Sequence, residues 1–483
     1  MIAEMVPSLP AHFCLHEPEL LFHPDRPDDK HRHPLVGLLQ HGPFSRSLVN
    51  CVIDPIRVAF IVPWGESGKM LGLLKELEAR HTPRERHQYL PEFPGFSRVF
   101  GIRAVPAAQN AQVELVRQVE RDLSASDVPH LTLADRLVRC LGVLDSVRQE
   151  FDVAFIYLPN RWQRSFSFVS DTEDFDLHDY LKAVSAVKGL PIQILLEDKA
   201  LTYPCRCSVM WRLGLALYCK AGGVPWKLAD STPDMAFVGL SYAVRSPQNA
   251  GRRFVTCCSQ VFDADGAGLE FILYETDDVR IERDNPFLSR AEMRRVMARS
   301  MALFQRRHGG RTPKQVVVQK STEFKPDEVK GCFDAWRSAE GLDLLQVQQD
   351  TIWRGVKIDA PVDRGQIKGT ASRYPCDRGT CLQIGPREVL LWTQGNAPSA
   401  VGGNNFFKEG KGIPSPILIR RFAGHGGWAE QCRHVLGLTK MNWNNDGLYD
   451  RLPVTLGYAK ILARTVKRMS ELVPKPYQLR YFM

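Results

Sequence analysis

The chain has 483 residues, 44% of them hydrophobic and 24% charged, an ordinary globular composition with room for two or three domains that each bury a core. Lys and Arg outnumber Asp and Glu by 63 to 54 and set the isoelectric point near 8.9, a balance that suits a polyanionic partner without approaching a histone-like excess. No stretch of 18 apolar residues and no basic leader followed by an apolar run occurs, which argues against a helical membrane span or a signal peptide and leads to the expectation of a cytoplasmic chain.

Residues 1–34, rich in proline, histidine and acids, read as an N-terminal segment. Three short apolar runs follow, Arg57 to Pro63, Val153 to Pro159 and Pro191 to Leu196, each of the kind that fills a strand buried on both faces of a parallel sheet. Helical patterns from Met70 to Ala79 and from Ala111 to Ser124 lie between them. Alternating strand and helix implies an α/β, Rossmann-like domain over 35–232. The Ser-Thr-Pro run within Ala229 to Asp234 reads as a linker.

A second domain, 233–483, opens with three strand-like stretches, Met235 to Val244, Phe254 to Phe262 and Leu269 to Tyr274, and then a basic helix from Ser289 to Arg307. A strand Gln315 to Gln319, a helix Pro326 to Ser338, a strand Leu342 to Gln348 and helices Gly427 to Leu436 and Thr455 to Met469 come next. Hairpin strands succeeded by alternating strands and helices suggest a ribonuclease-H-like core. Nine Lys or Arg fall between Arg290 and Lys320 against one acid, Glu292; this is either a solvated helix face or a phosphate track. The twelve cysteines form no CxxC pair and read as reduced thiols.

Nitrogen donors recur in an ordered set. Leu177, Tyr180, Leu181, Val184 and Val187 fall on one face of a helix, while His178 and Lys182, four apart, project side by side from another. Gln193 sits on the following strand, and Lys220 ends a helix before Gly222 and Gly223. Taken singly, these are a surface histidine, two solvated lysines and a strand-end amide. Together they could close on a terminal phosphate, whose charge near −2 calls for several converging donors.

These residues resemble the Argonaute family. His178-x-x-x-Lys182, Leu-Pro-Ile-Gln193 and Leu217-Tyr-Cys-Lys-Ala-Gly-Gly-Val-Pro-Trp226 are similar to the pocket by which its MID domain grips a guide 5′-phosphate, so the resemblance implies that role for His178, Lys182, Gln193 and Lys220. His33 to Pro43 and Pro94 to Phe100 resemble the lead-in to that domain in prokaryotic members. The family often has tyrosine where His178 stands and a small residue before the glutamine, where Ile192 stands; both departures bear on the preferred first nucleotide. The tail Tyr477 to Met483 resembles one that returns to the pocket, where the Met483 carboxylate would help to hold a Mg2+ beside the phosphate; the alternative is an ordered tail alone.

The second domain resembles the PIWI module, most clearly in Leu436-Gly-Leu-Thr-Lys-Met-Asn-Trp-Asn-Asn445 and Tyr449 to Thr455. Cutting members hold two Mg2+ on carboxylates. Here Phe237-Val-Gly-Leu-Ser241 and Lys320-Ser321 put serines where the first and second aspartates belong, Asn442, Asn444 and Asn445 are neutral, and Asp446 and Asp450 lie close by. The resemblance therefore implies a catalytically inactive chain. It further implies a short prokaryotic Argonaute of MID and PIWI alone that binds a guide RNA and a single-stranded DNA target in defence against invading DNA. A partner with an APAZ domain and a TIR, sirtuin-like or nuclease effector would supply the chemistry, with NAD hydrolysis the expected output. An active guided endonuclease and a scaffold that binds no nucleic acid are the competing readings.

Overall fold

Continuous apolar runs bounded by proline need a sheet covered on both faces, and the fold provides one. The computed structural model describes residues 12–48, 51–84, 90–170, 174–231, 234–245, 254–263, 268–276, 278–283, 285–358, 362–363, 366–367, 369–401, 404–407, 412–444, 447–467 and 476–483. Strands Ile192–Leu196, Val153–Leu158, Ile56–Val62 and Ala104–Pro106 lie side by side and parallel, with Gln112–Glu114 also paired to Ile56–Val62. Alternate residues feed two cores. Val58, Phe60 and Phe155 pack against helices Ser67–Leu77 and Arg206–Lys220. Ala59, Ile61, Ile156 and Ile194 pack against Pro129–Ser146 and Leu177–Lys188.

The helix expected from Ala111 to Ser124 is corrected. Ala111 closes a short turn, Gln112–Glu114 adds to the sheet through Leu115 N donating to Val62 O, and the helix is confined to Val119–Ala125. Pairing with an open sheet edge outweighs local helical patterning there.

The second sheet has ten strands in the order His12–Cys14, Thr380–Gly385, Glu388–Leu391, Ile417–Ala423, Gly341–Gln348, Gln315–Lys320, Met235–Arg245, Phe254–Asp263, Gly268–Thr276 and Pro476–Tyr477. Met235–Arg245, Gln315–Lys320 and Gly341–Gln348 are parallel neighbours and the other pairs are antiparallel. The opening strand thus has its two hairpin partners on one side and two parallel strands on the other, a ribonuclease-H-like arrangement inside an α/β fold. Helices Arg290–Arg307 and Pro326–Ala335 cover one face through Met293, Val296, Met297 and Cys332. Val454–Lys467 covers the other, and it approaches so closely that a side chain at Gly239 would collide with the Thr455 carbonyl.

The N-terminal segment is woven into this body. His12–Cys14 pairs with Thr380 to Leu382, and Leu20–Leu21 pairs with Lys227–Leu228. Between them Glu17, buried, meets Arg378 at 2.7 Å and Lys440 at 2.8 Å. Burial pushes the Glu17 carboxyl up, but Arg378 and Lys440 together hold it below its ordinary value. Of the expected linker, residues 232–233 lie outside the described residues; Ala229 donates to Glu19, and Asp234 accepts from Lys314 and Gln315. Among the described residues no helix is long and apolar enough to cross a membrane.

Candidate nucleic-acid interface

Helix Leu177–Lys188 starts on Asp176, whose carboxylate accepts from Asp179 N at 2.8 Å, and stops at Gly189 with positive φ, the two caps a helix of this length calls for. Leu177 and Leu181 anchor it on the parallel sheet, while Ala183 and Ala186 face Leu462, Val466 and Phe482. Lys182 points the same way and is 7% exposed. Helix Arg206–Lys220 is buried almost throughout and ends on Lys220, 0% exposed. The chain then turns at Gly222, whose φ of 105° lies in the region that favours glycine.

The two ammoniums converge on the chain's last two residues. Lys182 Nζ donates to Phe482 O at 3.2 Å and Lys220 Nζ to Met483 O at 2.5 Å. Lys182 meets a main-chain carbonyl, and Lys220 meets an oxygen of Met483, the residue whose carboxylate was expected at this pocket. Burial pulls Lys182 down from 10.5 to about 8, against the pull of Asp179. Burial also lowers Lys220 well below its ordinary value, and the nearby Lys182 charge adds to the effect. Two buried like charges brought this close, with both lysines held below their ordinary values by burial, form a site whose electrostatics favour an anion.

The other two expected donors are placed differently. His178, one turn before Lys182, is 49% exposed with Nδ1 3.4 Å from Asp179. Gln193 is half-buried on its strand and its amide donates to Ile194 O at 3.2 Å; no hydrogen bond joins it to either lysine among the described residues. Arg464 and Arg480 extend the basic environment and are not evident from the local motifs. Arg464 lies 3.5 Å from Asp179 and contributes to the field at Lys182. Arg480 approaches Gly222, and its Nε is buried with no hydrogen-bond partner among the described residues. The sequence signal for Arg464 is a spacing: Lys460, Arg464 and Lys467 recur at four and three residues along Val454–Lys467.

The three metal-capable side chains found together among the described residues are Asp176, His178 and Asp179, with ligand atoms within 4.8 Å of one another. They stand at the start of the Lys182 helix rather than at Met483. Asp176 is engaged as the helix cap and Asp179 faces Arg464.

The opening strand Met235–Arg245 brings Ser241 beside Ser321. The last registered pair is Gly239 with Gln319, so the two serines follow at the same level, two residues on, toward the face that Val454–Lys467 covers. A cleft of about 830 Å³ opens there, lined by Ser241, Ser321, Thr322, Asp350, Lys460 and Lys467 among others. Lys320 Nζ turns to Glu328 at 2.6 Å, both buried. Asn442 is occupied locally: it donates to Asp450 at 2.6 Å and accepts from Tyr458 OH at 3.2 Å. Asn445 and Asp446 lie outside the described residues.

No protein-family profile matches the sequence, and no curated protein is similar to it. Solved structures are similar in fold. Aa-Ago with externally bound siRNA matches with a TM-score of 0.62 at 16% identity, over 97% of this chain and 56% of that one. Clostridium butyricum Argonaute bound to a guide DNA and a 19-mer target DNA matches with a TM-score of 0.60 at 13% identity, over 96% and 54%. Drosophila Piwi matches with a TM-score of 0.59 at 14% identity, over 98% and 56%. The chain therefore has an Argonaute/Piwi-like fold and spans about half the length of these structures.

Proposed function

We propose that this chain holds the 5′-phosphorylated end of a short guide RNA between Lys182 and Lys220, pairs the guide with single-stranded DNA, and does not cut that DNA. The observation that carries the reading is the pair of buried ammoniums converging on the chain's last two residues. A terminal phosphate, with a charge near −2, offers two ammoniums more than the Met483 carboxylate alone and accepts charge-assisted hydrogen bonds from both nitrogens. Base pairing would carry the sequence information while the protein reads backbone and shape. His178 and Gln193 complete the donor set in this reading, after side-chain rotation at Gln193. One neighbour of similar fold carries externally bound siRNA and another is bound to a guide DNA and a target DNA, which supports a nucleic-acid ligand.

Side-chain chemistry supports the non-cutting half of this reading. Two Mg2+ need several hard anionic ligands, and the cleft beside Ser241 and Ser321 has one lining carboxylate among the described residues, Asp350. The output then has to come from a second protein. In this reading the chain is the guide-binding subunit of a cytoplasmic, short-Argonaute defence pair whose APAZ-bearing partner, with a TIR, sirtuin-like or nuclease effector, consumes NAD or cuts when the duplex forms. A Mg2+ beside the guide phosphate, with the Met483 carboxylate as protein ligand, belongs to the same reading. That carboxylate is hard enough for the ion, but Lys220 would have to yield it. When bound, the ion would neutralise part of the phosphate charge.

The test is Lys182→Ala with Lys220→Ala in the full chain. Short 5′-phosphorylated RNA should no longer co-purify, with guide affinity down by about a hundredfold or more, while the partner complex still assembles. Unchanged loading removes the pocket. Clean cleavage of a matched target by the isolated chain in Mg2+ or Mn2+ removes the non-cutting half, and loading that survives EDTA removes the ion.

A further inference from the structure

The cleft between the Ser241 strand and helix Val454–Lys467 stands where a nuclease of this fold would hold its metal ions, and its residues are suited to the opposite charge. Asp350 is the lining carboxylate among the described residues, and it is exposed. The buried acid Glu328 is engaged by Lys320 at 2.6 Å, and Lys320 itself lines the cleft. This donor set does not fit a pair of divalent cations.

What the cleft does offer is donors. Ser321 is exposed on its floor. Beside it Ser241 Oγ and Thr322 Oγ1 are shut off from solvent and have no hydrogen-bond partner among the described residues. Buried hydroxyls are normally satisfied, so a rotation that turned these two toward an oxygen in the cleft would break no existing bond. Lys460 and Lys467 are exposed on the helix wall, line the same volume and form no ion pair with a described residue. Two ammoniums against one carboxylate leave the cleft net positive, and a lysine binds phosphate as a point charge without demanding a fixed geometry.

We propose that this cleft is a metal-independent phosphodiester seat, in which one linkage of the DNA strand is held by the Ser241, Ser321 and Thr322 hydroxyls together with Lys460 and Lys467. The replacement of acids by hydroxyls and ammoniums then does more than remove cutting: it converts a cation site into an anion site that grips the strand directly. The proposal rests on the guide-and-target reading above and adds to it the place and the chemistry of one contact.

A neutral-linkage scan tests it. Target DNAs carrying a single methylphosphonate at successive positions are bound to the guide-loaded full chain in Mg2+ and again in EDTA, with guide occupancy measured in each. One linkage, or two adjacent ones, should weaken binding by about tenfold, the size expected when charge-assisted hydrogen bonds are removed, with the others near neutral. In Lys460→Ala/Lys467→Ala that linkage should become no more sensitive than its neighbours, while guide loading is unchanged. Ser241→Asp/Ser321→Asp should weaken target binding in EDTA. A flat scan, a sensitive linkage that persists in the double-lysine variant, or target binding that collapses in EDTA while the guide stays loaded overturns the seat and leaves guide loading standing. If no guide loads, the pocket reading falls instead, and the same scan with a preformed RNA–DNA duplex decides the seat on its own.

Discussion

Replacing Lys182 by methionine should make the guide-free protein more stable and at the same time unable to hold its guide. The ammonium is 7% exposed and its pKa falls from 10.5 to about 8 through burial. At about 1.4 kcal/mol per pKa step, holding the charge in place at neutral pH costs about 3 kcal/mol. Methionine keeps the length and apolar stem of the side chain and forgoes one hydrogen bond, to Phe482 O at 3.2 Å, worth about 1 kcal/mol. The net expectation for Lys182→Met is therefore a gain of about 2 kcal/mol, read as a higher urea midpoint for guide-free protein at pH 7. The sign can be checked with pH. Between about 8 and 10.5 the unfolded chain carries a proton on Lys182 that the folded chain has lost, so wild-type stability rises with pH across that window. The variant should lack the Lys182 share of that rise and keep only the part that Lys220 contributes. Guide affinity, measured by filter binding with 5′-phosphorylated RNA, should fall by at least about tenfold. A lower urea midpoint together with unchanged guide affinity would refute the reasoning, because the ammonium would then be a strut for the tail rather than a seat for an anion.

Guide affinity itself should decline as pH rises above about 8, because free Lys182 sheds its proton there and binding must restore it; calorimetry at pH 9 in buffers of different ionisation heat should register proton uptake, and none would contradict the pocket. Arg464→Ala and Arg480→Ala should each weaken guide binding by a few-fold and flatten the dependence of log affinity on log salt by about 0.7 for each phosphate no longer neutralised, whereas substitution of the exposed Arg26, whose neighbour is Asp29, should leave the slope alone. Glu17→Gln should destabilise the protein by about 3–5 kcal/mol, since it strands Arg378 and Lys440 in the interior. The Glu17 carboxyl is held below its ordinary value, so its stabilisation is present at neutral pH and disappears as pH falls through that lowered value; an acid unfolding midpoint in Glu17→Gln identical to wild type would contradict this.

The strands of the first sheet were legible because burial on both faces leaves an unbroken apolar run. Val153–Leu158 is buried at every position, and its shortness and the proline that follows fit a strand better than a buried helix segment. The Lys182 helix was legible for a different reason: its apolar residues keep helical period while its donors sit off that stripe. What local patterning missed is mostly non-local. Glu17 is bound by Arg378 and Lys440, hundreds of residues away in sequence, and nothing around Glu17 marks it as buried. The strands Thr380–Gly385, Glu388–Leu391 and Ile417–Ala423 are short and mixed in polarity, so period alone did not separate them from loop. Gln193 shows the limit at the site: its position on the strand could be read, but not that its amide would turn to Ile194 O. Arg464 and Arg480 came into view only once the C-terminal helix and tail were placed against the first domain.

That placement gives helix Val454–Lys467 a role no single motif carries. Its inner face is fixed at both ends. Thr455 OH donates to Gln319 at 2.5 Å, and the neighbouring strand has only Gly239 at the point of contact. Further along, Leu462 and Val466 pack on Ala183, Ala186 and Phe482, where the alanines let the two helices come close. Its outer row then serves both sites, with Arg464 beside the Lys182 helix at Asp179 and Lys460 and Lys467 on the cleft. A close-packed interior transmits displacement rather than absorbing it, so an anion that shifts this helix from the pocket side also moves the two lysines over Ser241 and Ser321. In the proposed reading, occupancy of the pocket and geometry of the cleft would be coupled through this helix, and a strand bound in the cleft would have to favour the same helix position that the guide does for the coupling to be positive.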